Sequence, residues 1–256
     1  MRFLSLYSCG AASAVATKLA LEENKNEYKE DFVILYTEVV QEHTDNKRFL
    51  LECQEWFGHD ITVIRNEIYN GSIYEVFIAN RFIVSPGGAP CTKVLKKQTR
   101  ERFQKPDDVL ILGFTYEEQN RLDRFLDANN VEVWTPLIDA KITKADCLAI
   151  LKEQLIEIPT MYKLGYKNNN CIGCVKGGLG YWNKIRDDFP EQFNKMAALE
   201  KQIGGKILKK QIKGKRDYIW LTDLNPGDGR YSAEPDIECG VVCMQAIEEI
   251  DVTCEV

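Results

Sequence analysis

At 256 residues, with 45% hydrophobic and 28% charged side chains, the chain can build one large globular domain, alone or with an extension. A net charge of −6 argues against a surface basic enough to hold nucleic acid non-specifically. The first apolar run, residues 3–7, is far too short to span a bilayer or to form the apolar stretch of a signal peptide, so a cytoplasmic protein without membrane attachment is expected.

In chain order, the periodicity predicts a strand over 3–7, a small-residue turn, and a helix to about residue 23. A strand at 32–36 and a helix at 45–57 follow, the helix carrying Phe49, Leu50, Cys53, Trp56 and Phe57 near helical spacing. Further strands are expected at 61–64 and 109–113, the second almost wholly apolar as a strand buried on both faces should be. A helix at 116–129 and a short strand at 131–134 come next. Thr143 with Asp146 resembles a capping box opening a helix over 144–154. After about residue 165 the pattern changes to Asn-rich and Gly-rich stretches, a helical run over 179–203 broken at Pro190, and a loop-rich tail. The expected division is a nucleotide-binding core over 1–165 and a cysteine-bearing extension over 166–256.

Strands alternating with helices imply an α/β fold, a doubly wound, mostly parallel sheet. Such sheets bind ligands at the carboxyl ends of their strands, near the point where strand order reverses. Ser8, Tyr36, Thr37 and the run 113–115 should lie there. The turn Ser8-Cys9-Gly10-Ala11-Ala12-Ser13, between strand and helix, can act as an anion site through converging N–H groups and the helix dipole. The same small residues could equally serve only close helix–sheet packing. The turn is neither a Walker A loop nor a GxGxxG fingerprint.

Two basic runs, 93–102 and 206–216, read first as a solvated helix face and a solvated strand edge. Lys93, Lys96 and Lys97 are alternatively contacts for a substrate anion. Arg121 and Arg124 share a helix face behind Glu117 and Glu118. They form either a surface ion-pair lattice or an oxyanion contact. With His43 and His59 the only histidines, a histidine-based site is not expected.

The nine cysteines, an odd number, read in a reducing compartment as thiols, metal ligands or catalytic groups rather than a disulfide framework. Cys171-Ile-Gly-Cys174 can grip a metal ion, hold part of an iron–sulfur cluster, or cycle as a redox pair. Cys53 and Cys147 fall on predicted helices and read as core. Cys9 reads as a packing residue.

The series of motifs resembles the phosphoadenosine-phosphosulfate (PAPS) reductase family, within the adenine-nucleotide α-hydrolase fold. ATP pyrophosphatases of that fold carry Ser-Gly-Gly-x-Asp-Ser. Here Ser8, Gly10 and Ser13 match, Cys9 replaces the first glycine and Ala12 the aspartate. His43-Thr-Asp-Asn-Lys-Arg-Phe-Leu, the run from Gly113 through Glu117, Arg121 and Arg124, Trp134-Thr-Pro-Leu-Ile-Asp, and Ile158-Pro-Thr-Met-Tyr-Lys-Leu-Gly continue the resemblance over roughly residues 1–180.

The resemblance implies an adenine nucleotide (PAPS, adenylyl sulfate or ATP) held by Ser8, Gly10, Ala11, Ser13, Tyr36, Thr37, Gly113 and Arg121, with Lys93, Lys97 and Arg124 facing the substrate anion. Cys91 and the Cys171–Cys174 pair sit where adenylyl-sulfate reductases ligate a [4Fe–4S] cluster. Cys243 or Cys239 is then a candidate fourth ligand, and four-thiolate zinc is the alternative. Glu238-Cys239-Gly240 is similar to the family's nucleophile-bearing tail, which makes Cys239 either the catalytic thiolate or a ligand. The function implied is reductive sulfonucleotide cleavage with a thioredoxin-like thiol donor. The alternatives are ATP-dependent sulfur transfer to nucleic acid and a non-catalytic zinc-stabilised nucleotide-binding module. A homo-oligomer is compatible with each.

Overall fold

Residues 1–85, 88–212 and 215–237 are described by a computed structural model, side chains excepted at 212, 215 and 216. The chain opens with β1 (Arg2–Tyr7), α1 (Ala11–Glu23), β2 (Asp31–Glu38), α2 (Asn46–Phe57), β3 (Ile61–Arg65) and α3 (Ile73–Asn80). A π-helical turn (Thr92–Lys97) leads into α4 (Gln98–Phe103), β4 (Asp108–Ile111), α5 (Gln119–Ala128) and β5 (Val133–Trp134). Then come α6 (Pro136–Asp139), α7 (Lys144–Glu153), α8 (Thr160–Lys163), α9 (Leu179–Asp188), α10 (Pro190–Ile203), β6 (Leu208–Ile212) and β7 (Lys215–Ile219).

Five strands form one wholly parallel sheet in the order β3-β2-β1-β4-β5, and β6 and β7 form a separate antiparallel hairpin. The expected α/β class is therefore the observed one. Strands buried on both faces have to be apolar throughout, and every residue of β4 is buried. Phe3 and Tyr7 of β1, Phe32 and Ile34 of β2 and Ile111 of β4 share one core with the alanines of α1 and with Phe49 and Phe57 of α2. Small residues on α1 let the helix lie close to the sheet, where Ser5 and Thr17 hydroxyls meet at 2.7 Å. Thr143 and Asp146 form the expected capping box at α7, with Asp146 N–H donating to Thr143 Oγ1 and Thr143 N–H to Asp146 Oδ2.

Some boundaries differ from expectation for local reasons. The strand expected over 109–113 ends at Ile111, and only Leu112 N–H continues the pairing, to Trp134 O at 3.0 Å. The helix expected over 116–129 starts as a 3-10 turn at Tyr116–Glu118, closed by Thr115 N–H donating to Glu118 Oε2. Helix α3 was not anticipated, and the helix face expected over 93–102 begins as the π-helical turn before α4.

Contacts between Cα atoms divide the chain into two units that interleave in sequence. The first comprises Met1–Glu38, His43–Asn66 and Lys97–Asn169, and holds the parallel sheet. The second comprises Val39–Glu42, Glu67–Lys96 and the described residues from Asn170 onward. Within it α3 and α9 pack on α10, and the buried Glu200 carboxylate accepts Ile207 N–H and Leu221 N–H, joining α10 to the chain on either side of the hairpin. No described helix is long and apolar enough to cross a membrane.

Candidate functional site

Strand β1 lies at the centre of the sheet, with β2 on one side and β4 on the other, so the carboxyl ends of β1 and β4 flank the reversal of strand order. The turn from β1 into α1 sits there. Cys9 adopts φ +56°, a left-handed conformation that glycine takes without strain. A glycine would therefore suit that place better than a residue with a side chain. Cys9 is fully buried and its carbonyl accepts Asn169 Nδ2 at 2.7 Å. The same Nδ2 donates to Asn46 Oδ1 at 2.8 Å, so Asn169 ties the turn to the start of α2. Asn169 Oδ1 is itself buried with no hydrogen-bond partner among the described residues.

Ser13 Oγ is the common acceptor for Ser8 N–H (3.1 Å), the Ser8 hydroxyl (3.0 Å) and Gly10 N–H (3.3 Å), and donates to Gly10 O (3.0 Å). Three donors thus aim at one point ahead of the α1 amino terminus. Ala11 N–H points to Tyr162 Oη at 3.4 Å. Gly113 contributes through its lack of a side chain, since a Cβ there would lie 2.7 Å from Ser13 Cα and 2.9 Å from Ser13 N. The chain just beyond β4 therefore presses directly on the first turn of α1.

The other expected nucleotide contacts are placed less simply. Tyr36 is buried in the core, its ring 6.2 Å from that of Tyr7, while Thr37 is half-buried in register with Ile64. Arg121 pairs with Glu118 and lies over the Phe114 ring at 5.1 Å, and the exposed Arg124 donates to Asn120 O. Lys97 pairs with Glu101 at 3.5 Å, within the first unit. In the second unit Lys93 is half-buried and Lys96 pairs with Glu42 at 3.1 Å.

The run 93–102 departs from a uniformly solvated face at Arg100. That guanidinium is only 5% exposed, and its Nε and Nη1 have no hydrogen-bond partner among the described residues. Burial holds its pKa below the usual arginine value, despite Glu101 nearby. Charge in a sequence does not disclose burial, so nothing local could have singled this arginine out.

The second unit holds the Cys171–Cys174 turn. Both thiols are buried, and Ile172 N–H donates to Gln41 O at 2.8 Å. Tyr181 Oη bridges the turn, accepting Cys174 N–H at 2.9 Å and donating to Cys171 O at 3.2 Å. Gly173 takes φ +75° and lies against Trp182, which a Cβ would approach to 3.1 Å. The Tyr74 phenol is buried without a hydrogen-bond partner among the described residues. Burial, with a contribution from Cys171, pushes its pKa up to about 12.

Cys91 is half-buried in another segment of the same unit. Among the described residues no three Cys, His, Asp or Glu side chains gather into a group able to hold a metal. The described chain therefore offers two thiols on one turn, a donor set that suits a soft metal but does not by itself close a shell. Cys239 and Cys243 lie outside the described residues. Cys53 and Cys147 are fully buried, and burial pushes each thiol up to about 12, as core residues require.

No protein-family model and no curated protein matches the chain. Among solved structures it is similar to the U34-tRNA thiolase NcsA from Methanococcus maripaludis with its [4Fe-4S] cluster. That similarity has 12% identity and a TM-score of 0.41, over 80% of this chain and 72% of that one.

Proposed function

We propose that this chain is an enzyme of nucleotide-dependent sulfur transfer, which binds an adenine nucleotide at the Ser8–Ser13 turn and handles sulfur at cysteine thiols. The observation that supports it most is the convergence of Ser8 N–H, Gly10 N–H and the Ser8 hydroxyl on one point at the switch of strand order. A phosphate oxygen there would replace the Ser13 hydroxyl as acceptor. Hydrogen bonds to an anion are about twice as strong as neutral ones, and the α1 dipole adds to them. Gly113 keeps the chain just beyond β4 tight against the first turn of α1 and so fixes the direction of these donors.

Cys171 and Cys174 are the described thiols best placed for a soft metal, either zinc or the iron of a cluster. Such a metal keeps its thiolates deprotonated at neutral pH and, with a position open, supplies a point of attachment for sulfur. The chain's own residues would set the geometry: Tyr181 fixes the turn's backbone, and Gln41 anchors Ile172. Reductive cleavage of a sulfonucleotide remains the second reading, supported by the resemblance of Glu238-Cys239-Gly240 to a nucleophile-bearing tail.

Calorimetric titration with ATP, adenylyl sulfate and PAPS tests the nucleotide reading. A Cβ at Gly10 would meet nothing closer than 3.4 Å, so Gly10→Ala preserves the fold while placing a methyl group beside the donors. The variant should bind the preferred nucleotide at least tenfold more weakly, with an unchanged thermal midpoint. Equal binding by both proteins, or no binding of any of the three, would refute the site. Sulfite release from a sulfonucleotide would favour reduction, and ATP-dependent thiolation of an RNA or DNA acceptor would favour sulfur transfer.

A further inference from the structure

The hairpin of the second unit gathers charge and aromatic surface that neither the turn after β1 nor the cysteine turn uses. Leu208 of β6 is in register with Ile219 of β7, and both are buried. Side chains alternate between the faces of a strand, so Lys209, Gln211 and Tyr218 share the opposite face, and all three are exposed. Lys209 stands opposite Tyr218 in the register, its Nζ 5.0 Å from the centre of the Tyr218 ring. Trp220 continues the extended chain past β7, at φ −73° and ψ 152°, and is half-buried. Lys201, in the last turn of α10, places its Nζ 4.0 Å from the centre of the Trp220 ring, and Lys206 Nζ lies 5.4 Å from the same point.

The charge of these lysines is not cancelled locally. Lys210, on the inner face, pairs with Asp228, but Lys201, Lys206 and Lys209 form no ion pair among the described residues. Lys206 instead donates to Tyr218 O at 3.0 Å, which ties it to the hairpin. The acid beside Lys201, Glu200, is buried and accepts Ile207 N–H and Leu221 N–H. Asp217 falls by alternation on the face of Leu208 and Ile219. The exposed Asp223, on the 3-10 turn after Trp220, offsets one of the three charges at most. A chain with a net charge of −6 therefore carries a local cationic face here, against its overall field.

A lysine over an exposed ring is held by a weak attraction, so a better partner for either group displaces it. A nucleotide offers both partners at once, since its base stacks on the ring and its phosphate takes the ammonium. Tyr218 and Trp220 are two residues apart on extended chain, about 7 Å, so the face presents two stacking platforms in series. A duplex hides the faces of its bases, whereas the loops and ends of RNA splay them out. We propose that this face of the hairpin, with Lys201 and Lys206, binds an unpaired RNA segment, Tyr218 and Trp220 stacking on its bases and the three lysines holding its phosphates. That this RNA is the acceptor of sulfur rests on the function proposed above; the binding itself does not.

The test titrates the full chain, without nucleotide or added metal, into a fluorescein-labelled oligouridine and follows its anisotropy. An oligothymidine strand, a DNA duplex and vesicles of anionic phospholipid serve as the competing occupants. The RNA should bind at least as tightly as the DNA strand, and about tenfold or more tighter than duplex or vesicles. Tyr218→Ala should weaken RNA binding by about tenfold with no change in its salt dependence, and Tyr218→Trp, which keeps a ring, should restore it. Lys201→Gln and Lys209→Gln should each lower the slope of log affinity against log salt by roughly 0.7, the value for one phosphate contact on a single strand. Thermal midpoints confirm that the variants are folded. No RNA binding by the wild type, wild-type affinity in both Tyr218→Ala and Lys209→Gln, or tighter binding of the DNA strand, duplex or vesicles would each overturn the proposal. If the chain binds RNA but none of the three nucleotides, the nucleotide site falls and the RNA surface stands.

Discussion

Among the described residues, Arg100 has two buried guanidinium nitrogens without a hydrogen-bond partner. A guanidinium that is 5% exposed, with Nε and Nη1 unpaired among the described residues and Glu101 at 3.5 Å, keeps most of its desolvation cost. Replacing a buried charge by an apolar side chain of similar length commonly stabilises by roughly 1–4 kcal/mol. Arg100→Met should therefore raise the urea midpoint at unchanged denaturant slope, by an amount equivalent to about 1–3 kcal/mol. A lower midpoint would mean that the guanidinium has a stabilising partner in solution. Asn169 shows the same limit of sequence reading from another side. Its contacts with Cys9 and Asn46 span 160 and 123 residues, and an Asn-rich stretch gives no local sign of them.

At the scale of elements, strands and helices were legible where a local rule governs them. The apolar run of β4, the capping box of α7 and the break at Pro190 between α9 and α10 each follow from a few neighbouring residues. Helix α3, sequence IYEVFIAN, was not anticipated because its β-branched and aromatic residues carry strand propensity, which packing on α10 overrides. The glycines after Cys174 were visible as composition only, since Gly178 and Gly180 make room for residues 230–234 and Gly177 for the Tyr181 ring.

The amino terminus of α2 depends on a charge that was not singled out. Asp45 holds Arg48 through both carboxylate oxygens, at 2.7 and 2.9 Å, and accepts Thr160 N–H at 2.8 Å, joining α2 to the start of α8. The Arg48 hydrogen bonds, outweighing partial burial and helped by Thr160, hold the Asp45 carboxyl well below its ordinary range. Asp108, paired with Arg2 across β1 and β4, is also lowered even though burial opposes it. A depressed carboxylate stabilises the fold fully above its unfolded pKa, near 4, and that contribution is lost as pH falls through the folded value. The thermal midpoint should therefore be level above about pH 5 and fall steadily below about pH 4. Asp45→Asn should lower the midpoint at pH 7 and flatten the acid limb. An unchanged acid limb would show that Asp45 does not contribute to it.

For the whole molecule, the interleaving of the two units makes the division at residue 165 testable. A fragment ending there keeps the sheet but lacks Asn169, the residue that holds Cys9 O and Asn46 Oδ1. The complementary fragment loses more. Its Cys171–Cys174 turn is anchored by Ile172 N–H on Gln41 O, and α10 packs on α3, with Lys195 over the Tyr74 ring at 4.4 Å. Gln41 and α3 both belong to the earlier part of the chain. Without them the α9–α10 pair exposes the apolar face that α3 covers, and a two-helix remnant with a hairpin has little core left to offset its chain entropy. Expressed alone, residues 166–256 should show weak helical circular dichroism and no cooperative thermal transition, whereas the full chain should unfold cooperatively. Co-expression with 1–165 should restore structure only by bringing back residues 39–42 and 67–96. A cooperative transition in the isolated 166–256 fragment would show that the second unit folds without those segments.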